Sequence, residues 1–144
     1  MTPTLAGRWQ TRAFLLVLVG IPVSLPFCLI AGLVPLGLLL CTGAIGALLD
    51  VYYDRVQRSR WDHDWPVHRQ IRAGVLEFAA LLFGLFGCCA CSLPLGPAVL
   101  KLGPMAAIVV PVHWWSVWLI SFLFVQGPMR ALFPRWRFRG GRLL

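Results

Sequence analysis

Two long stretches of this 144-residue chain contain no formally charged residue, one from Ala13 to Leu49 and one from Leu102 to Met129. Charged residues make up only 12% of the chain, about half of the roughly 25% that is usual in soluble globular proteins. The chain is also 59% hydrophobic. This shortage of charge argues against an ordinary soluble domain and predicts a chain that crosses a lipid bilayer.

Acidic residues are scarce as well, with five Asp and Glu against thirteen Lys and Arg, which leaves a net charge of +8. Twelve of the thirteen basic residues are arginines in three clusters: Arg8 and Arg12; Arg55, Arg58, Arg60, Arg69 and Arg72; Arg130, Arg135, Arg137, Arg139 and Arg142. No separate basic domain carries them, which disfavours nucleic-acid binding. Arginines that flank apolar runs instead indicate topology signals and contacts with anionic lipid headgroups.

The apolar runs predict an all-α bundle of four membrane helices that forms a single domain, residues 1–144. A helix needs about 20 residues to cross the hydrocarbon core. The 37-residue run from Ala13 to Leu49 is too long for one span, and Gly32 to Pro35 offers a turn in its middle. The predicted spans are residues 13–33, 36–53, 73–91 and 105–125, with a loop at 54–72 and a basic tail at 126–144.

The number of spans decides on which side each arginine cluster lies. With four spans and a cytoplasmic N-terminus, all twelve arginines and the C-terminus are cytoplasmic, and Lys101 is outside. A three-span arrangement would split the middle and last clusters across the membrane, against the positive-inside rule. The charge pattern therefore favours four spans.

Prolines and aspartates predict details of two helices. Pro22 and Pro26 are expected to kink the first span, because each removes a backbone donor inside a helix. Asp62 or Asp64 is expected to cap the third helix, with Pro66 in its first turn.

Cys88 and Cys91 form a CxxC pair near the predicted outer end of the third span. That spacing suits a redox disulfide on an oxidising side of the membrane, and quinone-linked thiol oxidases use such pairs. A relay also needs a second pair in an outer loop, and neither predicted outer loop contains a cysteine. Helix packing is the simpler interpretation, and a quinone-linked thiol oxidoreductase is the alternative.

Two polar segments are candidates for contact with lipid headgroups or a partner protein. In the loop, Trp61, Asp62, Asp64 and Trp65 suit an interface, where tryptophans anchor and aspartates neutralise nearby arginines. In the tail, the same role is predicted for Arg130, Arg135, Trp136, Arg137 and Arg139. A divalent-cation site in the loop is the less favoured alternative, and we predict no metal site.

Asp50 and Glu77 are ionisable residues near the inner ends of the second and third spans. Carboxylates inside a membrane are unfavourable and often functional. A structural ion pair, with Arg72 within reach, is the favoured interpretation. The alternative is a small transporter or channel in which the two carboxylates carry a proton or cation.

The fourth span carries His113, Trp114 and Trp118 near its middle, although tryptophan prefers the membrane interfaces. An imidazole beside flat rings could contact a pigment or a quinone. A single histidine cannot supply both axial ligands of a haem. The simplest interpretation is that His113 forms a hydrogen bond between helices.

Two motifs, RWDHDWP at residues 60–66 and FPRWRFRGG at residues 133–141, resemble small uncharacterised multi-pass membrane proteins of cyanobacteria. The resemblance covers the loop and the tail, whereas the spans match only as hydrophobic sequence. It implies a plasma-membrane or thylakoid setting and makes a role in a photosynthetic complex worth testing. It carries over no catalytic residue.

The chain contains no Gly-rich phosphate loop, serine nucleophile motif or zinc-protease helix. We therefore expect a non-enzymatic accessory, assembly or scaffold subunit of a larger membrane complex or homo-oligomer. The thiol oxidoreductase and the transporter described above remain the alternatives.

Overall fold

The computed structural model describes residues 3–59, 66–87, 95–136 and 138–143. Over these residues every regular element is helical, which confirms the predicted all-α class. The elements are α1 (Leu5–Leu15), a π-helical segment (Leu16–Gly20), α2 (Ile21–Ala31), α3 (Val34–Arg58), α4 (Val67–Phe86), α5 (Gly96–Leu100), a 3-10 segment (Gly103–Met105), α6 (Ala106–Gln126) and α7 (Pro128–Leu132).

Three helical stretches are long and apolar enough to cross a membrane: Leu5–Ala31, Val34–Arg58 and Gly103–Gln126. Helix α4 has 20 residues but carries Arg69, Arg72 and Glu77, and charge opposes insertion. Among the described residues, three of the four expected spans therefore have the length and composition of membrane helices.

The first helix begins at Leu5, eight residues before the predicted start of the span at residue 13. Thr4 caps it, because its side chain accepts a hydrogen bond from the Gly7 backbone N–H at 3.2 Å. The first arginine cluster consequently lies within α1 rather than ahead of it. The turn to α3 lies at Gly32 and Leu33, inside the segment where the sequence predicts it.

The π-helical segment ends two residues before Pro22. Proline has no backbone N–H, so Pro22 cannot donate to the Leu18 carbonyl as an α-helix would require. A widened turn before the proline is a known way to absorb that loss. Kinks are predicted at Pro22 and Pro26; the structure has a π segment just before Pro22, and Pro26 lies inside α2.

The start of α4 differs from the prediction. Pro66 occupies the N-cap position in extended backbone, with φ −71° and ψ 160°, and the helix begins at Val67. Pro66 therefore precedes the first turn instead of lying in it. The predicted caps Asp62 and Asp64 lie outside the described residues.

Helix α3 is at the centre of the bundle and packs against α1, α2, α4 and α6. One half of the bundle has an apolar core, in which α5 and the start of α6 cover α3 and α4. The buried members of this core are Leu38, Leu81, Leu85, Val99, Ala106, Val110 and Trp114. Leu95 packs on Gly37 beside it, near the Gly32–Leu33 turn.

The other half brings together the start of α1, the end of α3, the start of α4, the end of α6 and the tail. Gln126 Nε2 donates to Gln70 Oε1 at 2.7 Å, which joins α6 to α4. The Thr4 backbone N–H donates to the Gly140 carbonyl at 2.8 Å, which joins the tail to the start of the chain. We call this the arginine end, and the end with the Gly32–Leu33 turn and Lys101 the turn end.

Candidate functional site

One guanidinium joins three helices near the arginine end. Arg12 of α1 donates to both carboxylate oxygens of Asp50 on α3, from Nε at 2.9 Å and from Nη2 at 3.1 Å. It also donates to both oxygens of Glu77 on α4, from Nη1 at 3.1 Å and from Nη2 at 2.8 Å. These three residues form what we call the Arg12 cluster.

The helices position the cluster deeply. The side chains of Arg12, Asp50 and Glu77 are 20%, 5% and 9% exposed. The guanidinium lies against α3 at Gly46, where an added Cβ would overlap Arg12 Nη1. The missing side chain of Gly46 is therefore what allows Arg12 to reach both carboxylates.

Neighbouring groups extend the network and balance its charge. Arg8, one turn before Arg12, donates from Nη2 to Gln57 Oε1 at 2.7 Å. Asp54 accepts from Arg58 at 2.8 Å, although the Arg58 side chain is 73% exposed. The two carboxylates of the Arg12 cluster exceed its one guanidinium by a single charge, and Arg8 lies close enough to interact electrostatically with Asp50.

The cluster corrects one sequence expectation and supports another. The partner of Asp50 and Glu77 is Arg12 rather than Arg72, because α1 begins early and carries Arg12 down to their level. The favoured interpretation, a structural ion pair, fits the geometry, since all four carboxylate oxygens accept from the guanidinium. Bidentate pairing of this kind is specific to arginine and is not available to lysine.

His113 and Trp114 lie deeper, on α6. His113 is 2% exposed, and its Nε2 lies 2.8 Å from Ser24 Oγ on α2. Its ring also meets Phe27 edge-on at 5.2 Å. This is the interhelical hydrogen bond that the sequence suggested for His113.

Trp114 belongs to an aromatic cluster on one side of α6. Its ring lies 4.9 Å from Phe78 and stacks on Trp118 at 6.2 Å with 12° between the planes. Trp118 in turn stacks on Phe122 at 5.1 Å. Trp114 is 3% exposed. The predicted cofactor candidates are therefore packed together, and Trp114 also forms part of the apolar core.

A cavity of about 230 Å³ lies between α1, α3, α4 and α6 and reaches from the arginine end toward His113. The Arg12 cluster, His113, Trp114 and Trp118 all contribute to its wall. The sequence analysis named two separate sets of candidates, the α6 residues His113, Trp114 and Trp118 and the carboxylates of Asp50 and Glu77. In the structure both sets line the same cavity.

The tail folds back onto α1. Trp136 is 3% exposed, and its Nε1 donates to Thr11 Oγ1 at 2.9 Å. Thr11 Oγ1 donates onward to the Gly141 carbonyl at 2.9 Å, and Gly7 is so close to Gly140 that a Cβ at residue 7 would overlap its carbonyl. Trp136 thus packs against the protein, whatever the tail contacts outside it.

The other predicted contact residues divide into two groups. Arg130, Arg135 and Arg139 are exposed at the arginine end, and Arg130 also donates to the Gln126 side chain. Trp61, Asp62, Asp64, Trp65 and Arg137 lie outside the described residues, as do Cys88 and Cys91. The predicted roles of these residues stay predictions.

Sequence reasoning missed Arg12 and Ser24. Arg12 was grouped with the topology signals, yet it is the last charge before a 37-residue uncharged run. A positive charge at the start of an apolar run could have been recognised as a possible partner for the carboxylates of Asp50 and Glu77, which lie near the ends of two other apolar helices. Ser24 lies in an apolar helix and gave no such signal.

Among the described residues, no three His, Cys, Asp or Glu side chains come together to hold a metal ion. Cys28 and Cys41 are half-buried free thiols. Comparison with protein-family models, curated proteins and solved structures finds no match to this chain.

Proposed function

We propose that this chain is a four-span membrane protein with both termini in the cytoplasm, and that it is a non-enzymatic accessory or assembly subunit of a larger membrane complex. The observation that carries the proposal is the arginine end. There, the folded tail and the ends of four helices form one basic surface. The membrane is a bacterial plasma membrane or a thylakoid membrane, as the resemblance of the loop and tail implies.

The course of α4 supports four spans rather than three. Its first turns lie at the arginine end, where Tyr53 Oη donates to the Ala73 carbonyl at 3.2 Å and Gln70 bonds Gln126. Its last turns join the apolar core, where Leu81 and Leu85 are fully buried. Helix α4 therefore runs between the same two ends as α3 and α6. If those helices cross a bilayer, α4 crosses it too.

The exposed arginines supply the docking surface. Seven of them face outward at this end: Arg55, Arg58, Arg72, Arg130, Arg135, Arg139 and Arg142. A guanidinium forms bidentate hydrogen bonds to a carboxylate or a phosphate, so a folded array of them suits the acidic face of a partner subunit. Trp136 holds the tail on α1, which spares part of the entropy that ordering a free tail would require.

Lysine replacement separates docking from topology. In a variant with Arg130, Arg135, Arg137, Arg139 and Arg142 all changed to Lys, the net charge and the insertion signal are preserved. We expect this variant to insert normally and to lose the partner that co-purifies with the natural chain from native membranes. The control is Lys101→Arg, a change of the same kind at the turn end, which should leave the complex intact.

Two results would contradict the proposal. One is a complex that survives all five lysine replacements unchanged, which would leave the tail arginines as topology signals. The other is a natural chain that purifies from its membrane without any stable partner. Either result can be interpreted only after a reporter fused after Leu144 has verified that the protein is correctly inserted in the membrane.

A second candidate function is a proton or cation pathway through Asp50 and Glu77, and the meeting of the two carboxylates at one cavity favours it. Against it, each of the four carboxylate oxygens already accepts a hydrogen bond from Arg12. Flux measured in proteoliposomes tests this candidate. Transport that disappears in Asp50→Asn, but not in Asp54→Asn, a buried carboxylate one turn away that does not line the cavity, would support it over the accessory role.

A further inference from the structure

The tail forms part of the wall of the cavity between α1, α3, α4 and α6. At the arginine end, Trp136 and Gly141 of the tail line the cavity together with Pro3, Gly7 and Thr11 from the start of the chain. The deeper part of the wall is formed by side chains of the helical bundle. The contact between the tail and α1 therefore bounds the cavity at the arginine end.

Hydrogen bonds hold the tail on α1 at several points. Trp136 Nε1 donates to Thr11 Oγ1, which donates to the Gly141 carbonyl, both at 2.9 Å. The Leu143 backbone N–H donates to Gln10 Oε1 at 3.0 Å. Thr11 is thus the central residue of the contact, because its hydroxyl both accepts a hydrogen bond from the tail and donates one to it.

Three glycines allow the tail to approach α1 closely. Gly140 and Gly141 have φ of 62° and 83°, in the left-handed region that favours glycine, and they lie in a turn. Across the contact, Gly7 leaves room for the Gly140 carbonyl, which a Cβ at residue 7 would overlap. The contact therefore depends on backbone shape on both of its sides.

The arginines of this segment lie on its outer side. Arg135, Arg139 and Arg142 are exposed, whereas the Trp136 ring is buried. A segment held by a few hydrogen bonds and one buried ring opens at a lower free energy than the helices of a core. Helix α7 remains as its anchor, because Met129 is fully buried.

The cavity behind the tail has the Arg12 cluster in its wall. The two carboxylates of the cluster are largely buried, and hydrogen bonds between charged groups are stronger in such surroundings than in water. Water that entered the cavity would compete for the same groups. A tail that lies at the entrance would keep that water out.

We propose that the tail is a lid on this cavity. Docked on α1, it closes the arginine end, and its release admits water and small polar solutes to the Arg12 cluster. The lid and the docking surface share a segment of the chain. The lid is nevertheless independent of the proposed function, because it is tested on the purified chain without any partner.

A cysteine in the cavity wall reports on the lid. Ser121 lines the cavity, whereas Ser116 on the same helix does not, and cysteine has nearly the same shape as serine. Each is changed to Cys in turn, in a chain whose five native cysteines are replaced by serine or alanine. Labelling by the small neutral reagent methyl methanethiosulfonate is followed by mass spectrometry of the full chain in detergent micelles.

Two variants weaken the lid without enlarging the cavity. Thr11→Val keeps the shape of the side chain but loses both of its hydrogen bonds to the tail, and Gly7→Ala places a methyl group against the Gly140 carbonyl. In either variant we expect the cysteine at position 121 to be labelled roughly 10-fold faster or more, as the loss of two hydrogen bonds would give. Phe138→Ala changes an exposed tail residue and should leave the rate unchanged.

Equal labelling of position 121 with the natural and the weakened lid would overturn the proposal, because the cavity would then be reached by another route. So would an increase of the same size at position 116, which would show that the whole bundle loosens. The two variants act on different contacts, Thr11→Val on side-chain hydrogen bonds and Gly7→Ala on the approach of the backbone. If one of them fails to fold, the other still decides the question.

Discussion

The two halves of this bundle are held together by different interactions. Near the turn end, Leu38, Leu81, Leu85, Val99 and Val110 pack as an apolar core. Near the arginine end, polar atoms join the helices: Arg12 with Asp50 and Glu77, Gln126 with Gln70, and Trp136 with Thr11. The bond between Ser24 and His113 lies between the two regions.

Apolar and polar contacts between helices differ in strength when the surrounding medium is lipid. Lipid tails are as apolar as leucine, so apolar side chains gain little by leaving lipid for the core of a membrane bundle. Such a core contributes close packing but specifies helix partners weakly. The Arg12 cluster, by contrast, needs three particular helices at one level. We therefore infer that the polar half determines which helices lie next to one another, and that the apolar half contributes close packing.

The largest effect is expected from Arg12→Leu, which leaves two buried carboxylates without their countercharge. Loss of one partner of a buried ion pair costs about 3–5 kcal/mol, and we expect a decrease of that size in the free energy of unfolding. Denaturant titration in mixed micelles measures it. The control is Arg58→Leu, which removes a partner of Asp54 that is itself 73% exposed and therefore mostly solvated, and it should change stability by about 1 kcal/mol or less.

Neutralising the carboxylates should reverse this loss. The triple variant with Arg12→Leu, Asp50→Asn and Glu77→Gln has no buried charge to compensate, and a buried amide without a partner costs less than a buried carboxylate without one. It should regain much of the stability lost in Arg12→Leu. A triple variant as unstable as the single one would show that the packing of Arg12, and not its charge, matters.

The second effect concerns the tail. Trp136→Ala removes a buried ring and its hydrogen bond to Thr11, and truncations of buried aromatic residues cost about 3–5 kcal/mol. We expect the tail to detach while the bundle persists, seen as rapid proteolysis after Arg130. Phe138→Ala is the matched control, because Phe138 is 89% exposed and should leave the protection unchanged. Equal protection in all three proteins would exclude a docked tail.

A smaller effect is expected in the apolar half. Leu38 is fully buried, yet Leu38→Ala should cost only about 2 kcal/mol, the low end of the range for buried leucine. The reason is that the unfolded helices stay in lipid, so the free energy of transferring leucine out of water does not contribute to folding. The same titration applies. A loss larger than that of Arg12→Leu would reverse the ranking of the two halves.

Local features of the fold could be predicted from the sequence, and contacts between helices could not. The turn near Gly32 and the end of α6 before Gly127 follow from glycine and proline, which act within a few residues. The partner of Asp50 and Glu77 depends on how far α1 extends and on the space left by Gly46. A hydropathy profile predicts neither the length of α1 nor the space beside Gly46.

The tail and the cavity illustrate the same limit. A segment with five arginines among aromatic residues predicts contact with headgroups, but composition alone does not say which aromatic ring turns inward. Trp136 does so because Thr11 offers an acceptor one turn before Leu15. Likewise His113 and Trp114 were visible as unusual residues in an apolar helix, whereas the cavity beside them arises from four helices.

The most direct test is whether the arginine end occupies one side of the membrane. Single cysteines are introduced at Arg58, Lys101 and Leu144 in a chain whose five native cysteines are replaced by serine or alanine, and intact cells or vesicles are treated with a membrane-impermeant thiol reagent. We predict that the cysteine at position 101 is labelled from outside, and those at positions 58 and 144 only after permeabilisation. Labelling of position 58 or 144 on the same side as position 101 would contradict the four-span arrangement.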